Sequence, residues 1–191
     1  AYSVTSGGLT ATFSAGTFTT LNQRNGTITT GTTVGSASLD AAANGLGVLS
    51  STPNDSPTVD GSNTKDFITI VLSQAATLTS ATLGFTGNGQ GFSLLTDTSG
   101  NGAIGVGDSI SGNLFVRSSS GGAYSAFVPT VGTVYAFAAT AGWQSWNLSS
   151  ISVSYTPPPP PAPVPLPATG VMLLAALGGL RLIRRRRATA S

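Results

Sequence analysis

Over its first 156 residues the chain alternates apolar and small polar side chains in short runs, at 2–4, 9–13, 27–30, 67–72, 77–85, 92–96, 114–117, 124–128, 131–138 and 151–155. A period of two places alternate side chains on opposite faces of a β-strand, and Gly, Asn and Ser punctuate the runs as turn formers. The pattern predicts an all-β fold, an antiparallel β-sandwich or jelly-roll-like domain built of two sheets. In the last run Ile151, Val153 and Tyr155 share one face and Ser152, Ser154 and Thr156 the other, as in a half-buried terminal strand. Phe13, Phe67, Phe85, Phe92, Phe115, Phe127, Phe137, Trp143 and Trp146 are the expected core volume. Ala41 to Ala43 read as the start of one helical turn, ended by Gly45 and Gly47, and residues 50–64 read as a long exposed loop.

After Thr156 the pattern changes. Pro157 to Pro161, with Pro163, Pro165 and Pro167, cannot donate a ladder of hydrogen bonds and predict an extended polyproline II spacer. From Ala168 to Ile183 the residues are apolar or small except Thr169 and Arg181. As a helix at ~1.5 Å per residue this stretch is roughly 24 Å long, short of the ~30 Å hydrocarbon core, which suits a temporary anchor better than a permanent span. Arg181 can snorkel, and Arg184, Arg185, Arg186 and Arg187 favour a cytoplasmic C-terminus, so the body is expected on the opposite side of the membrane. The predicted organisation is an ectodomain over 1–156, a proline-rich linker over 157–165 and a C-terminal tail over 166–191 with a transmembrane helix.

Val164, Pro165, Leu166, Pro167 and Ala168, followed by Leu173-Leu174, Leu177-Gly178-Gly179-Leu180 and the arginine cluster, resemble the VPLPA-CTERM variant of the PEP-CTERM sorting signal. The resemblance implies an exosortase-type transpeptidase as partner, transient inner-membrane anchoring, cleavage in or beside the motif, and release of the body to the cell envelope, the cell surface or the extracellular matrix. Leu166-Pro167-Ala168-Thr169-Gly170 also reads as LPxTG, the sortase signal of cell-wall proteins. The first reading is favoured because VPLP abuts the apolar stretch and Gly-Gly-Leu precedes an all-arginine cluster. A retained single-span membrane subunit is the third reading of the same tail. Within the body, Asn44-Gly45-Leu46-Gly47-Val48, Thr58-Val59-Asp60-Gly61, Lys65 to Ile70 and Leu78 to Phe85 resemble the middle of exosortase-dependent surface proteins, with Gly61 where asparagine is expected.

Composition narrows the chemistry. The chain has 25 glycines, abundant Ser and Thr, only 7% charged residues and no cysteine, so an exported β-rich domain is expected that does not rely on disulfides. A start at Ala1 fits removal of a signal peptide. Five of the eight basic residues lie in the tail, leaving Arg24, Lys65 and Arg117 against six aspartates in the body, a net −3 that offers no electrostatic basis for nucleic-acid binding. With no His, Cys or Glu, thiol nucleophiles, zinc sites and Glu-based acid–base pairs are excluded, and a non-catalytic protein is expected.

One segment carries candidate chemistry. In Asp97-Thr98-Ser99-Gly100-Asn101-Gly102-Ala103-Ile104-Gly105-Val106-Gly107-Asp108, oxygen side chains fall at positions 1, 3, 5 and 12 of an EF-hand-type loop, with Gly102 at the turn position and Ile104 at the apolar one. The segment resembles the calcium loops of dockerin-like modules. As a calcium site it would use the carboxylates of Asp97 and Asp108, the neutral oxygens of Ser99 and Asn101, and the backbone carbonyl of Ala103. A glycine-rich hairpin held by Asx turns is the competing reading. Trp143 and Trp146 raise a carbohydrate-binding alternative, with surface polysaccharide as partner beside self-association. At a spacing of three on a strand, however, at least one of them is expected in the core.

Overall fold

A computed structural model describes residues 1–24, 27–50, 57–61, 64–85, 90–105, 108–116, 122–124, 131–139, 142, 144–161, 170–178 and 181. The chain divides into two compact units, Ala1–Pro157 and Pro158–Ser191. The first is all-β. Its strands are β1 (Tyr2–Ser6), β2 (Leu9–Arg24), β3 (Thr27–Ser36), β4 (Ser38–Ala42), β5 (Gly45–Leu49), β6 (Val59–Asp60), β7 (Lys65–Phe85), β8 (Gln90–Thr96), β9 (Ser109–Val116), β10 (Gly122–Tyr124), β11 (Val131–Ala138) and β12 (Ser145–Ser154).

Every pairing among them is antiparallel, and they form one continuous sheet in the order β1-β2-β3-β9-β8-β11-β7-β12-β5-β4, with β10 on β7 and β6 on β12. β2 also pairs with β7, so β2, β3, β9, β8, β11 and β7 close into a ring, joined between β3 and β9 at Thr27 and Ser109. The expected pair of separate sheets is thus corrected to a single sheet folded over on itself.

The fold-over happens in β7. Phe137 pairs with Ile68 on this strand and Trp146 pairs with Phe85. Those two positions would lie about 55 Å apart on a straight strand, yet the rings of Phe137 and Trp146 are 6.5 Å apart. The bend has a visible cause in the ladder with β11, where Val131 and Gly132 face Thr77 and Ala76 but Val134 already faces Val71. Four residues of β7, Leu72 to Ala75, stand against the single Thr133 of β11, an extended bulge of the kind that bends a strand. The first half of β7 is therefore sandwiched between β2 and β11, and its second half runs with β12. The runs at 67–72 and 77–85 are one strand.

The main core fills the space between the two halves. Ile68, Ile70, Leu72, Ala76 and Leu78 of β7 occupy even positions, then Ala81 and Leu83 odd ones. A bulge at Thr79, where β12 steps from Ser152 to Val153 while β7 steps from Ser80 to Leu78, makes that switch and keeps the row on one face. The Thr79 hydroxyl donates to the Ser152 carbonyl at 3.1 Å across it. Against this row pack Leu9, Phe13, Val48, Val59, Phe92, Tyr135, Phe137, Trp146 and Leu148. Phe92, Phe137 and Trp146 meet edge to face, at 5.0 and 6.2 Å from Phe92, each such pair adding about 0.5–1.5 kcal/mol to its burial. Tyr135 donates its hydroxyl to the Ala76 carbonyl at 2.5 Å.

A second core lies on the other face and joins Phe18, Phe67, Leu95, Ile104, Val134, Ala136 and Ala138. β11 is buried on both faces, which explains why Val134 to Ala138 reads as an unbroken apolar run. Gly16 sits opposite Phe67, and a Cβ there would enter the Phe67 ring. The bare glycine lets that ring lie across β2 and stack on Phe18 at 4.3 Å.

Three further readings are corrected. Residues 38–42 and 45–49 are paired strands rather than a helical turn. Thr58, Val59 and Gly61, within the supposed exposed loop, are buried, because Val59 and Asp60 pair with Trp146 and Ser145. Of the expected core aromatics, Phe13, Phe67, Phe92, Phe137 and Trp146 are buried. Phe127 and Trp143 lie outside the described residues, as do the side chains of Phe85 and Phe115.

In the second unit, Pro158 to Pro161 carry no helix or strand, and residues 170–178 form a helix in which Val171, Met172, Leu173, Leu174 and Leu177 are all exposed. Among the described residues no helix is long and apolar enough to cross a membrane.

Candidate functional site

The segment from Asp97 to Asp108 is the connection between β8 and β9, closed at its neck by the pairing of Thr96 with Ser109. The Asp97 N–H donates to the Val134 carbonyl at 3.1 Å and so carries the β8–β11 ladder one residue into the loop. Ile104 is buried in the second core and pins the loop from its other side. Gly100 and Gly102 both have positive φ, 73° and 81°, and Gly102 makes the reversal expected of the turn position.

Two carboxylates organise the loop. Asp97 Oδ1 accepts hydrogen bonds from the Ser99 hydroxyl at 2.9 Å and the Gly100 N–H at 2.7 Å, and its Oδ2 accepts from the Gly102 N–H at 2.7 Å. Asp108 is fully buried. Its Oδ1 accepts from the N–H groups of Thr98 and Ser99, both at 3.1 Å, and its Oδ2 from the Gly105 N–H at 2.7 Å. Ser99 therefore touches both aspartates, one through its hydroxyl and the other through its amide. Asn101 Oδ1 accepts from the Ala103 N–H at 2.9 Å.

The loop thus brings Asp97, Ser99 and Asp108 together, while Asn101 is turned to its own backbone two residues on, as in an Asx turn. Partial burial of the Asp97 carboxylate pulls its pKa upward, but the hydrogen bonds from Gly102, Ser99, Gly100 and Asn101 outweigh that and hold it below the ordinary aspartate value of 3.8. Of the roughly four acceptor sites of a carboxylate, the Ser99 hydroxyl and the Gly100 N–H take the two on Oδ1 and the Gly102 N–H takes one on Oδ2. Among the described residues no three acidic, histidine or cysteine side chains come together. A cation here would depend on two carboxylates and neutral oxygens.

A second buried aspartate was not singled out by sequence. Asp66, at the start of β7, is 1% exposed and accepts from the Asp60 N–H and the Thr64 hydroxyl, both at 3.4 Å. Its own carbonyl accepts from the Ala139 N–H at 2.9 Å, and Lys65 Nζ donates to the Gly61 carbonyl at 2.6 Å. The Asp-Phe pair that opens the apolar run 67–72 was the available signal. The GLGV-like, VDG and DF segments converge here, for Leu46 pairs with Leu148, Val59 pairs with Trp146, and the Gly61 N–H donates to the Gln144 carbonyl. The Asn147 side chain, buried beside them, donates to the Pro57 carbonyl at 2.9 Å.

Trp146 is fully buried, so at least one of the two tryptophans is in the core, and Trp143 lies outside the described residues. The sorting-motif residues Val164, Pro165, Leu166, Pro167 and Ala168 and the cluster Arg184, Arg185, Arg186 and Arg187 also lie outside the described residues. The chain matches no family model, no curated protein and no solved structure.

Proposed function

We propose that this chain is a non-catalytic exported surface or extracellular-matrix protein, whose β unit is sorted and processed through its C-terminal tail. The observation that supports the reading is the division of the chain at Pro157. A self-contained unit with its own cores is followed by prolines and then by a helix of exposed apolar residues at 170–178. In this reading the folded-over sheet is a sandwich-like ectodomain. The tail is a membrane-inserted helix before processing, the arginine cluster sets its orientation, and an exosortase-type transpeptidase acts at Val164 to Ala168.

Intact mass of the protein recovered from its native cells tests the proposal. The expected product has lost the arginine cluster and ends near Ala168, and changing Arg184 to Arg187 to glutamate should impair sorting. A mature protein that still carries Arg184 to Arg187 would refute it in favour of a retained single-span subunit.

The loop between β8 and β9 is, in the same proposal, a weak calcium site of the ~10⁻⁴ to 10⁻³ M class, with Asp97 and Asp108 as charged ligands. At tenfold over Kd, binding to the folded form alone stabilises it by about 1.4 kcal/mol. The protein should melt several degrees higher in millimolar calcium than in chelator. Equal melting points would leave the loop as a hairpin held by its own Asx turns.

A further inference from the structure

β1 is the first strand of the sheet and, among the described residues, pairs with β2 alone. Gly7 and Gly8 connect the two with φ of 59° and 88°, the left-handed pair of a type I′ hairpin, so Ser6 and Leu9 exchange hydrogen bonds, as do Val4 with Ala11 and Tyr2 with Phe13. Ser3 and Thr5 therefore turn their N–H and C=O groups away from β2. The alternation is visible on the other strand, where the Thr10 N–H, opposite Thr5, points away from β1 and donates to the Ser73 hydroxyl at 3.0 Å.

All five residues of β1 are exposed. Tyr2 and Val4 continue the apolar row of Leu9, Ala11 and Phe13, yet are 53% and 44% exposed on the wall of a groove of about 720 Å³. Ser3 and Thr5 form a hydroxyl ladder on the other face, Ser3 with Thr12 at 3.1 Å and Thr5 with Thr10 at 2.9 Å. Edge strands are ordinarily guarded by charge, proline or a covering element. The opposite edge, β4, carries Asp40; β1 carries none of these.

We propose that β1 is a homodimerisation edge, pairing antiparallel with β1 of a second copy about a two-fold axis through Val4. The strand is self-complementary in one register. Ser3 opposite Thr5 of the second copy, and Thr5 opposite its Ser3, bring all four outward backbone groups on each side into hydrogen bonds. The same register extends the hydroxyl ladder from one copy to the next, sets Val4 against Val4, and places Tyr2 opposite Ser6. A register centred on Thr5 sets Ser3 against the turn residue Gly7, and one centred on Ser3 sets Thr5 against Ala1, outside the strand. The body carries three basic residues against six aspartates, and none of these charges lies on β1, so two copies meet at an uncharged edge. Such an interface is isologous, as two-fold dimers require. It stands or falls independently of how the chain is sorted.

The test is the mass of the full chain in mild detergent by light scattering, together with cross-linking. The wild type should double from 19.0 kDa to about 38 kDa with rising concentration, whereas Val4→Lys should stay monomeric with an unchanged circular dichroism spectrum. Because the chain has no cysteine, Val4→Cys introduces a single thiol. At a non-hydrogen-bonded pair about 4.5 Å apart, it should oxidise to a covalent dimer at least about tenfold faster than Tyr2→Cys or Ser6→Cys. A wild type that remains monomeric, a Val4→Lys chain that still dimerises, as it would through the tail, or equal cross-linking at positions 2, 4 and 6 would each overturn the proposal.

Discussion

Replacing Asp108 by alanine tests whether the β8–β9 loop is held by its buried carboxylate. Three backbone N–H groups, of Thr98, Ser99 and Gly105, end on this side chain at 3.1, 3.1 and 2.7 Å. Hydrogen bonds to a charged acceptor contribute about 1.5–3 kcal/mol each when both partners are held from water. Thr98 and Ser99 are exposed, so their amides can turn to solvent and recover most of what they lose; Gly105 is half-buried and recovers less. The Ile104 side chain, seated in the second core through this loop, is loosened as well. Together these give about 2–4 kcal/mol of lost stability rather than the sum of three full bonds. For a chain of this size that is a fall in Tm of about 4–16 °C. Asp108→Asn keeps the shape and one acceptor oxygen but sets an amide NH₂ against one group of donors, and should lose about half as much. Urea unfolding with a shared m-value measures both variants against the wild type. An Asp108→Ala chain within about 0.5 kcal/mol of the wild type would refute the assignment of the carboxylate as the anchor of the loop.

Gly16→Ala drives a methyl into the Phe67 ring and should destabilise by about 1–3 kcal/mol in urea unfolding; a neutral outcome would show that the ring does not lie over β2. Trp146→Ala removes the side chain that joins β12 to β8 and β11 and should cost about 3–5 kcal/mol, read from the denaturation midpoint. The lowered pKa of Asp97 means that its contribution is complete above the ordinary value of 3.8 and is lost as pH falls through the lower folded value, so Asp97→Asn should flatten the acid limb of stability below about pH 4 and leave neutral pH differences constant. For Tyr135, burial raises the pKa, so the stability it lends is full below the ordinary value of 10.0 and is lost as pH rises beyond it; Tyr135→Phe should reduce the alkaline loss.

Strands whose side chains alternate strictly were legible from sequence, because burial of one face imposes the period directly. β12 is the clearest case, with Ile151 and Val153 half-buried and Ser150, Ser152 and Ser154 exposed. β4 and β5 were not, because Ala41, Ala42, Gly45 and Gly47 have too little side chain to show a period. They are strands because they pair with each other and Leu46 pairs with Leu148, while the bare Gly47 leaves room for the Pro57 carbonyl. The runs at 67–72 and 77–85 read as separate for a related reason: Ser73, Gln74 and Ala75 lie in the bulged stretch where β7 bends, so the alternation lapses while the strand continues. Layering was invisible, since nothing local places Trp146 beside Phe92. In the candidate loop, oxygen spacing and the turn glycine were readable, but the spacing serves an ion and an Asx-turn hairpin equally. Asp108 is buried with its carboxylate held by the N–H groups of Thr98, Ser99 and Gly105, a placement that the spacing of oxygens does not specify. The role of Asp66 needed the neighbouring Asp60 and Ala139 to be seen.

The bent β7 also governs when this molecule becomes a folded object. Its two halves are held by partners from opposite ends of the sequence, β2 before it and β11 and β12 after it, so no contiguous fragment that stops short of β12 contains the completed core. β12 is the last strand before the prolines. A chain emerging from its N-terminus, through a ribosome or a pore, has to remain without its core until Trp146 and Leu148 have cleared the exit. Loop closure over such separations is slow compared with local hairpin formation. The topology therefore gives the nascent polypeptide a long interval as an open thread, in which local hairpins such as β1–β2 with its I′ turn and β4–β5 are the structures available early, and in which passage through a narrow channel meets the least mechanical resistance.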